Sequence, residues 1–427
     1  MRKRDNDFDL SHEEVINEFM KSYDSHHRRH HKHHSKHHHH HHHSHHHHSN
    51  DNINDNVEVK NLIDGEKEND TLTSLDAKKP EEKKERKKKI PLFFRILIII
   101  VAVLFSLAIM GTCAVLIMNA VTRNKLLKSR EDVVLQTIDG AVAYDDSGKT
   151  VEYKGQKYVY NENVITFAFF GIDDKGINTN VLDVHGEAGQ ADTILVFAYN
   201  IDNGDVSIIS VPRDSMVDVD IYNQSGKFAG TERLQVCLSY AFGNGGVSSC
   251  ENTVKSLERI LMGVPIDMYF SMKVRGIDAL NAAVGGIELT SIETIGDFVK
   301  GQKVHLTGTA ARFYVTRRDR SKIDSDKYRR ERQMQYLRAF IDKTLGIAKK
   351  NIGIVTTLYN TAKQYSVTDI TLSDAVFYAT NLLNTSAKIK SVTTLGGEYV
   401  NTDSVPEYIL DEEQVYQTIL DTFYTKV

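Results

Sequence analysis

Acidic and guanidinium side chains recur in this chain where apolar runs stop. Asp173 and Asp174 follow "VITFAFFGI", Asp192 heads "DTILVFAYN", and Arg213 with Asp214 follows "VSIISVP". Further on, "FYVTRRDRSKIDSDKYRRERQ" gathers Arg317, Arg318, Arg320, Arg329, Arg330 and Arg332 within a short reach. Carboxylates are hard oxygen ligands for a cation such as Mg2+, and guanidinium forks supply paired donors to phosphoryl oxygens. Together they are the ingredients of a phosphate site with a divalent cation. Singly, each is equally a turn or capping residue, and the arginines have internal partners in Asp319, Asp324, Asp326 and Glu331.

A helix starting near Asp326 puts Arg329, Arg332 and Gln333 on the stripe that continues through Tyr336, Leu337, Phe340 and Ile341, the spacing of one helical face. Cations in a first turn oppose the helix dipole, and a bound anion removes that penalty. Other chemistries have few candidates. Of the 20 His, only His185 and His305 lie beyond residue 48, which leaves little for a His-based triad or a multi-His zinc site. Neither the G-x-x-x-x-G-K-[ST] nor the G-x-G-x-x-G loop occurs.

The elements that must carry these residues are strands apolar on both faces, alternating with helices. "VITFAFFGI", "DTILVFAYN" and "VSIISVP" read as central strands covered on both sides. "SSCENTVKSLERILMG" reads as a helix with a capping box at Ser248 and Glu251, and "TLSDAVFYATNLLN" as one capped by Thr371 or Ser373. "AKIKSVTTLGG" is strand-like, "GKTVEYKGQKYVY" is a hairpin turning at Gly155, and the Gly pair of "NAAVGGIEL" is a tight turn into a strand. The expected fold is α/β: a three-layer α-β-α domain with a central mixed sheet. In open α/β sheets, ligands gather beyond the carboxyl ends of strands. Asp173 and Arg213 sit there, and Asp192 joins them if the loop before its strand folds back over the same end.

Four segments are expected. Residues 1–89, His-rich then basic, bury too little apolar surface to order and read as a disordered tail. Its His tract is a solvated low-complexity segment or a Zn or Ni binder. Residues 90–120 hold the uncharged run 96–118, "ILIIIVAVLFSLAIMGTCAVLIM", roughly 34 Å as a helix against a bilayer core of about 30 Å. The cations of "KKPEEKKERKKK" outnumber Arg123, Lys125, Lys128 and Arg130 beyond the run, so the N-terminus is cytoplasmic and the rest outside a cell membrane crossed once. Residues 121–160 are a stalk and small hairpin, and 161–427 the main domain. A site placed outside has no cytoplasmic ATP, and nucleic acid is not an expected partner. Cys237 and Cys250 lie outside, where a bridge is chemically permitted, but two thiols make no disulfide scaffold.

The ordered motifs "GIDD", "ADTILVFAYNIDNGDVSIISVPRDSMV", "YAFGNGG", "GIDALNAAVGGIEL", "LTGTAARFYVTRRD" and "DKYRRERQ" resemble the LytR-CpsA-Psr family of bacterial cell-envelope proteins over about residues 160–425. That resemblance implies a phosphotransferase that moves a glycan from a polyprenyl-pyrophosphate lipid onto a peptidoglycan hydroxyl as a phosphodiester, with pyrophosphatase activity also known in the family. By position it assigns Asp173 and Asp192 to Mg2+ and Arg213, Arg318, Arg329 and Arg332 to the pyrophosphate, and implies an apolar tunnel for the lipid. Two positions depart from the family pattern: Gln190 stands where Arg is usual, and Thr316 replaces the first Arg of Arg-x-Arg, with Arg317 pointing the other way if the segment is a strand. These departures keep open a noncatalytic lipid-binding or regulatory role, and the family's older naming a transcriptional attenuator.

Overall fold

A computed structural model describes residues 133–172, 182–319, 321, 325–385, 388–401 and 406–427, with isolated positions at 120, 121 and 124. The His tract, the expected span at 96–118 and Asp173 lie outside the described residues. Among those described, no helix is long and apolar enough to cross a membrane.

The first strands, β1 (Ala141–Ala143), β2 (Thr150–Tyr153) and β3 (Gln156–Tyr160), form a meander. Lys154 and Gly155 both take positive φ at the turn, the mirror-image geometry that suits hairpin twist. Three apolar strands follow: β4 (Val164–Ile172), β5 (Ala191–Asn200) and β6 (Asp205–Val211). Then come the hairpin β7 (Met216–Tyr222) and β8 (Phe228–Gln235), the helices α1 (Leu238–Ala241) and α2 (Val247–Ile260), and β9 (Met268–Lys273). Next are α3 (Gly276–Ala283), β10 (Ile287–Thr290), β11 (Lys303–Leu306), α4 (Ala310–Thr316) and the long α5 (Ser325–Ala348). The chain ends through α6 (Gly353–Lys363), β12 (Ser366–Thr368), α7 (Leu372–Asn384), β13 (Lys388–Thr394), β14 (Gly397–Asn401), β15 (Pro406–Leu410), α8 (Glu412–Phe423) and β16 (Tyr424–Lys426).

The central sheet has six strands in the order β12-β9-β4-β5-β6-β13. It is mixed: β4 runs parallel to β9 and β6 parallel to β13, whereas β5 is antiparallel to both its neighbours. Alternation along the strands divides the side chains between two layers. Ala168, Phe170, Ile172, Ile194, Val196, Ile209 and Val211 join the main core with Leu257 and Ile260 of α2 and Ile419 of α8. On the other face, Phe377 and Tyr378 of α7 pack against Ile165, Phe167 and Tyr199, and α3 and α5 face the remainder. This agrees with the expected α/β class.

The local readings fare unevenly. Thr371 caps α7 and Asp374 completes a capping box. The box expected at Ser248 is absent: Gly246 caps α2 without a side-chain bond, and the Ser248 hydroxyl instead reaches Asn244 Oδ1 at 2.8 Å. The 150–160 hairpin is not set apart from the domain, because β3 pairs with β16 and Val151, Tyr153, Tyr158 and Tyr160 belong to the main core. Cys237 and Cys250 are buried free thiols.

Candidate active site

The antiparallel course of β5 assembles the site. Its amino end lies beside the carboxyl ends of β4 and β6, where Ile172 faces Ala191 and Ile194 faces Val211. Asp192 therefore reaches the rim without help from a loop. Between β4 and β5 the register passes from Gly171↔Thr193 to Ile172↔Ala191, so Asp192 is the extra residue of a β-bulge. A bulge re-aims a side chain. Asp192 and Thr193, though consecutive, accordingly line the same cavity.

Arg213 arrives on a turn in which the Ser215 N–H donates to the Pro212 carbonyl at 3.0 Å. Its guanidinium is engaged on several sides. One terminal nitrogen donates to Asp192 Oδ1; the other donates to Gln190 Oε1 at 2.7 Å and contacts Cys237 Sγ at 3.5 Å. Nε lies 3.3 Å from Asp214 Oδ1. Burial pushes the Cys237 thiol up to about 11 despite the nearby guanidinium, so the thiolate is scarce at neutral pH. Gln190 thus holds Arg213 by its amide oxygen.

From this rim an apolar cavity of about 340 Å3 runs between the sheet and helices α3 and α5. Phe169, Leu195, Phe197, Phe270 and Met272 line one wall, and Ile277, Leu280, Leu337 and Phe340 the other. Polar groups are confined to Asp192, Thr193, Thr316, Arg329, Gln333 and the Tyr336 hydroxyl. Gln333 Nε2 ties α5 to the bulge through Thr193 Oγ1 at 3.4 Å and to the Val315 carbonyl at 3.2 Å.

The structure brings Asp192, Arg213 and Arg329 to this end of the fold, and Arg318 follows α4, half-buried, two residues beyond Thr316. Arg332 is placed differently. It is fully buried, with Nε on Glu293 Oε2 at 3.1 Å and its terminal nitrogens on the carbonyls of Tyr314 and Arg317. The shared helical stripe did not put it in the mouth, because Arg332 and Gln333 are about 100° apart around the helix and it is Gln333 that faces the sheet. The "FYVT" segment is also the end of helix α4, not a strand, and Arg317 is its extended C-cap. Its guanidinium packs against Gly296, where a Cβ would come within 2.6 Å of one terminal nitrogen.

Among the described residues no group of three or more His, Cys, Asp or Glu forms a metal cluster. Three oxygen donors nevertheless lie around the bulge: the Asp192 carboxylate, the Gln190 amide oxygen and the Thr193 hydroxyl. That set suits a hard cation such as Mg2+ rather than zinc. Sequence reasoning missed Cys237 and Thr193 as site residues; the β5 bulge brings in Thr193, and backbone bonds with Arg213 and Ala191 bring in Cys237.

The LytR_cpsA_psr family model matches residues 133–422. An Enterococcus faecalis protein named polyisoprenyl-teichoic acid–peptidoglycan teichoic acid transferase TagU is 25% identical over 65% of this chain and 85% of its own length. A Bacillus cereus protein of the same name is 28% identical over 44% of this chain and 55% of its own. Among solved structures, protein gbs0355 of Streptococcus agalactiae matches with a TM-score of 0.50 at 18% identity, over 62% of this chain and 90% of that one, a likeness of fold.

Proposed function

Since the chain belongs to the LytR-CpsA-Psr family, we propose that it is a membrane-anchored phosphotransferase that moves a glycan phosphate from a polyprenyl-pyrophosphate carrier to a peptidoglycan hydroxyl. The observation that carries this reading is the ion pair of Asp192 with Arg213 beside an apolar cavity that Asp192 and Arg329 both line. The cavity takes the prenyl chain and the rim takes the diphosphate. The names borne by the relatives, which describe transfer of teichoic acid to peptidoglycan, support the same reaction class.

In the proposed reaction the acceptor hydroxyl oxygen attacks the glycan-bearing phosphorus. The bond from that phosphorus to the bridging oxygen breaks, its electron pair leaving with polyprenyl phosphate. Asp214, beside Arg213, accepts the hydroxyl proton. Arg213, Arg329 and Arg318 stabilise the charge that gathers on the leaving phosphate, which is the main catalytic demand of phosphoryl transfer. Asp192, with Asp173 as its partner by the family resemblance, would hold Mg2+, which would supply Lewis-acid polarisation of the phosphoryl oxygens. The linkage is already activated, so no nucleotide is required. Residues 1–89 are the cytoplasmic tail and 90–120 the single span in this reading, which keeps the domain beside its lipid-borne substrate.

The test is polyprenyl phosphate release by the full-length protein with Mg2+, a polyprenyl-pyrophosphate saccharide and peptidoglycan glycan. Arg213→Lys keeps the charge but loses the fork, and transfer should fall roughly 100-fold, as should Asp192→Asn. Wild-type rates in both variants would refute the site; donor binding without transfer or hydrolysis by the wild type would leave a lipid-binding module.

A further inference from the structure

The hairpin of β14 and β15 is moored to the chain just past Arg213, outside the cavity lining. Ser215 bridges Tyr408, and the Tyr408 N–H donates to the Asp214 carbonyl at 3.0 Å. Tyr399 and Tyr408 stand opposite each other across the hairpin, with ring centroids 4.8 Å apart in an edge-to-face contact. Tyr399 is 53% exposed, and its hydroxyl donates to Asp214 Oδ2 at 3.4 Å. The other oxygen of that carboxylate faces Arg213 Nε. Asp214 therefore stands between an aromatic pair, one ring exposed and the other half-buried, and the cation of the phosphate site.

None of Asp214, Tyr399 and Tyr408 lines the apolar cavity, whereas Asp192 and Arg329 do. In phosphoryl transfer the attacking and leaving oxygens lie roughly in line on opposite sides of phosphorus. A lipid phosphate departing toward the cavity thus requires an acceptor entering from outside it, and Asp214 stands outside it beside Arg213. The Asp214 carboxylate repels another phosphate, but a carboxylate beside aromatic rings suits a hydroxyl-bearing ligand with an apolar face. A pyranose has both: C–H bonds that lie on an aromatic ring, and hydroxyls for the carboxylate.

We infer that the Tyr399–Tyr408 pair is the docking platform for the acceptor saccharide, seating a pyranose so that its hydroxyl meets Asp214. The inference rests on the phosphotransfer reading for its geometry and names the acceptor's place in that site.

Initial rates of the full-length protein, with varied amounts of an amino-sugar tetrasaccharide cut from peptidoglycan, test it. Tyr399→Ala should raise the acceptor KM roughly three- to tenfold while leaving the donor KM unchanged. Tyr399→Phe, which keeps the ring, should hold the acceptor KM near wild type. Val400→Ala is the control, since Val400 occupies the opposite face of the same hairpin. An unaltered acceptor KM in Tyr399→Ala, or a rise in the donor KM instead, overturns the platform. Calorimetric titration with the same tetrasaccharide separates the two levels. Binding that depends on Tyr399 supports the platform even if the wild type transfers nothing, an outcome that sinks the phosphotransfer reading alone. No binding at millimolar tetrasaccharide sinks the platform.

Discussion

Replacing Arg332 by Gln separates a grip on substrate from a structural tie, two roles that make opposite demands on one guanidinium. Arg332 is about as buried as a charge can be: its side chain is 1% exposed and that of its partner Glu293 is 7% exposed. It joins α5 to the end of α4 through the Tyr314 and Arg317 carbonyls, and its guanidinium lies 5.7 Å from the Tyr314 ring centroid. Burial pulls its pKa down from the ordinary value while Glu293 opposes the shift. Arg332→Gln strands the Glu293 carboxylate and leaves the carbonyls short of donors. Removing one member of a buried ion pair costs about 3–5 kcal/mol. At about 2 °C per kcal/mol for a domain of this size, the Tm should fall by roughly 6–10 °C. Scanning calorimetry of Arg332→Gln, Glu293→Gln and the double variant measures this. The double variant should be less destabilised than the sum of the singles, since it strands no charge. An unchanged Tm together with lost donor affinity would refute the argument and return Arg332 to the pyrophosphate.

Filling the cavity should act on the lipid and little else: Leu337→Trp should weaken binding of a long-chain polyprenyl donor while sparing a donor with a truncated chain, and equal losses for both would show that the chain lies elsewhere. In a Cys113→Ser background, Cys237 and Cys250 should resist Ellman's reagent at pH 8 until denaturant is added. Burial pushes them up to about 11 and about 12, so the reactive thiolate is scarce below those values and grows only as pH rises toward them; rapid labelling of the native protein at pH 8 would contradict this.

The strands and α7 were legible because their signals are local. An apolar run of strand length bounded by turn residues identifies β4, β5 and β6, and Thr371, one of the two cap candidates with Ser373, marks the start of α7. The Ser248 reading failed because Gly246, two residues earlier, starts α2 and draws Ser248 into the first turn, where its hydroxyl bonds back to Asn244. Periodicity identified the inward stripe of α5 but could not divide it. Whether Arg329, Arg332 or Gln333 meets the sheet depends on where α4 and the 291–294 loop pack, and nothing within α5 encodes that.

The direction of β5 is the step from which the site follows. Alternating strands and helices invite a parallel sheet, and the rule for such sheets places ligands beyond carboxyl ends, which by itself leaves Asp192 at the wrong end of its strand. Short links decide otherwise. Only four residues separate β5 from β6, too few for the crossover that a parallel pair needs, so β5 must run antiparallel and its amino end must share the rim with Arg213. The bulge then turns Asp192 toward the cavity that Thr193 already faces. A carboxylate at the head of one strand and a guanidinium past the end of the next are thereby neighbours as a consequence of a tight turn at the far end of the sheet, and lengthening that turn alone should not separate them while the β5–β6 register holds.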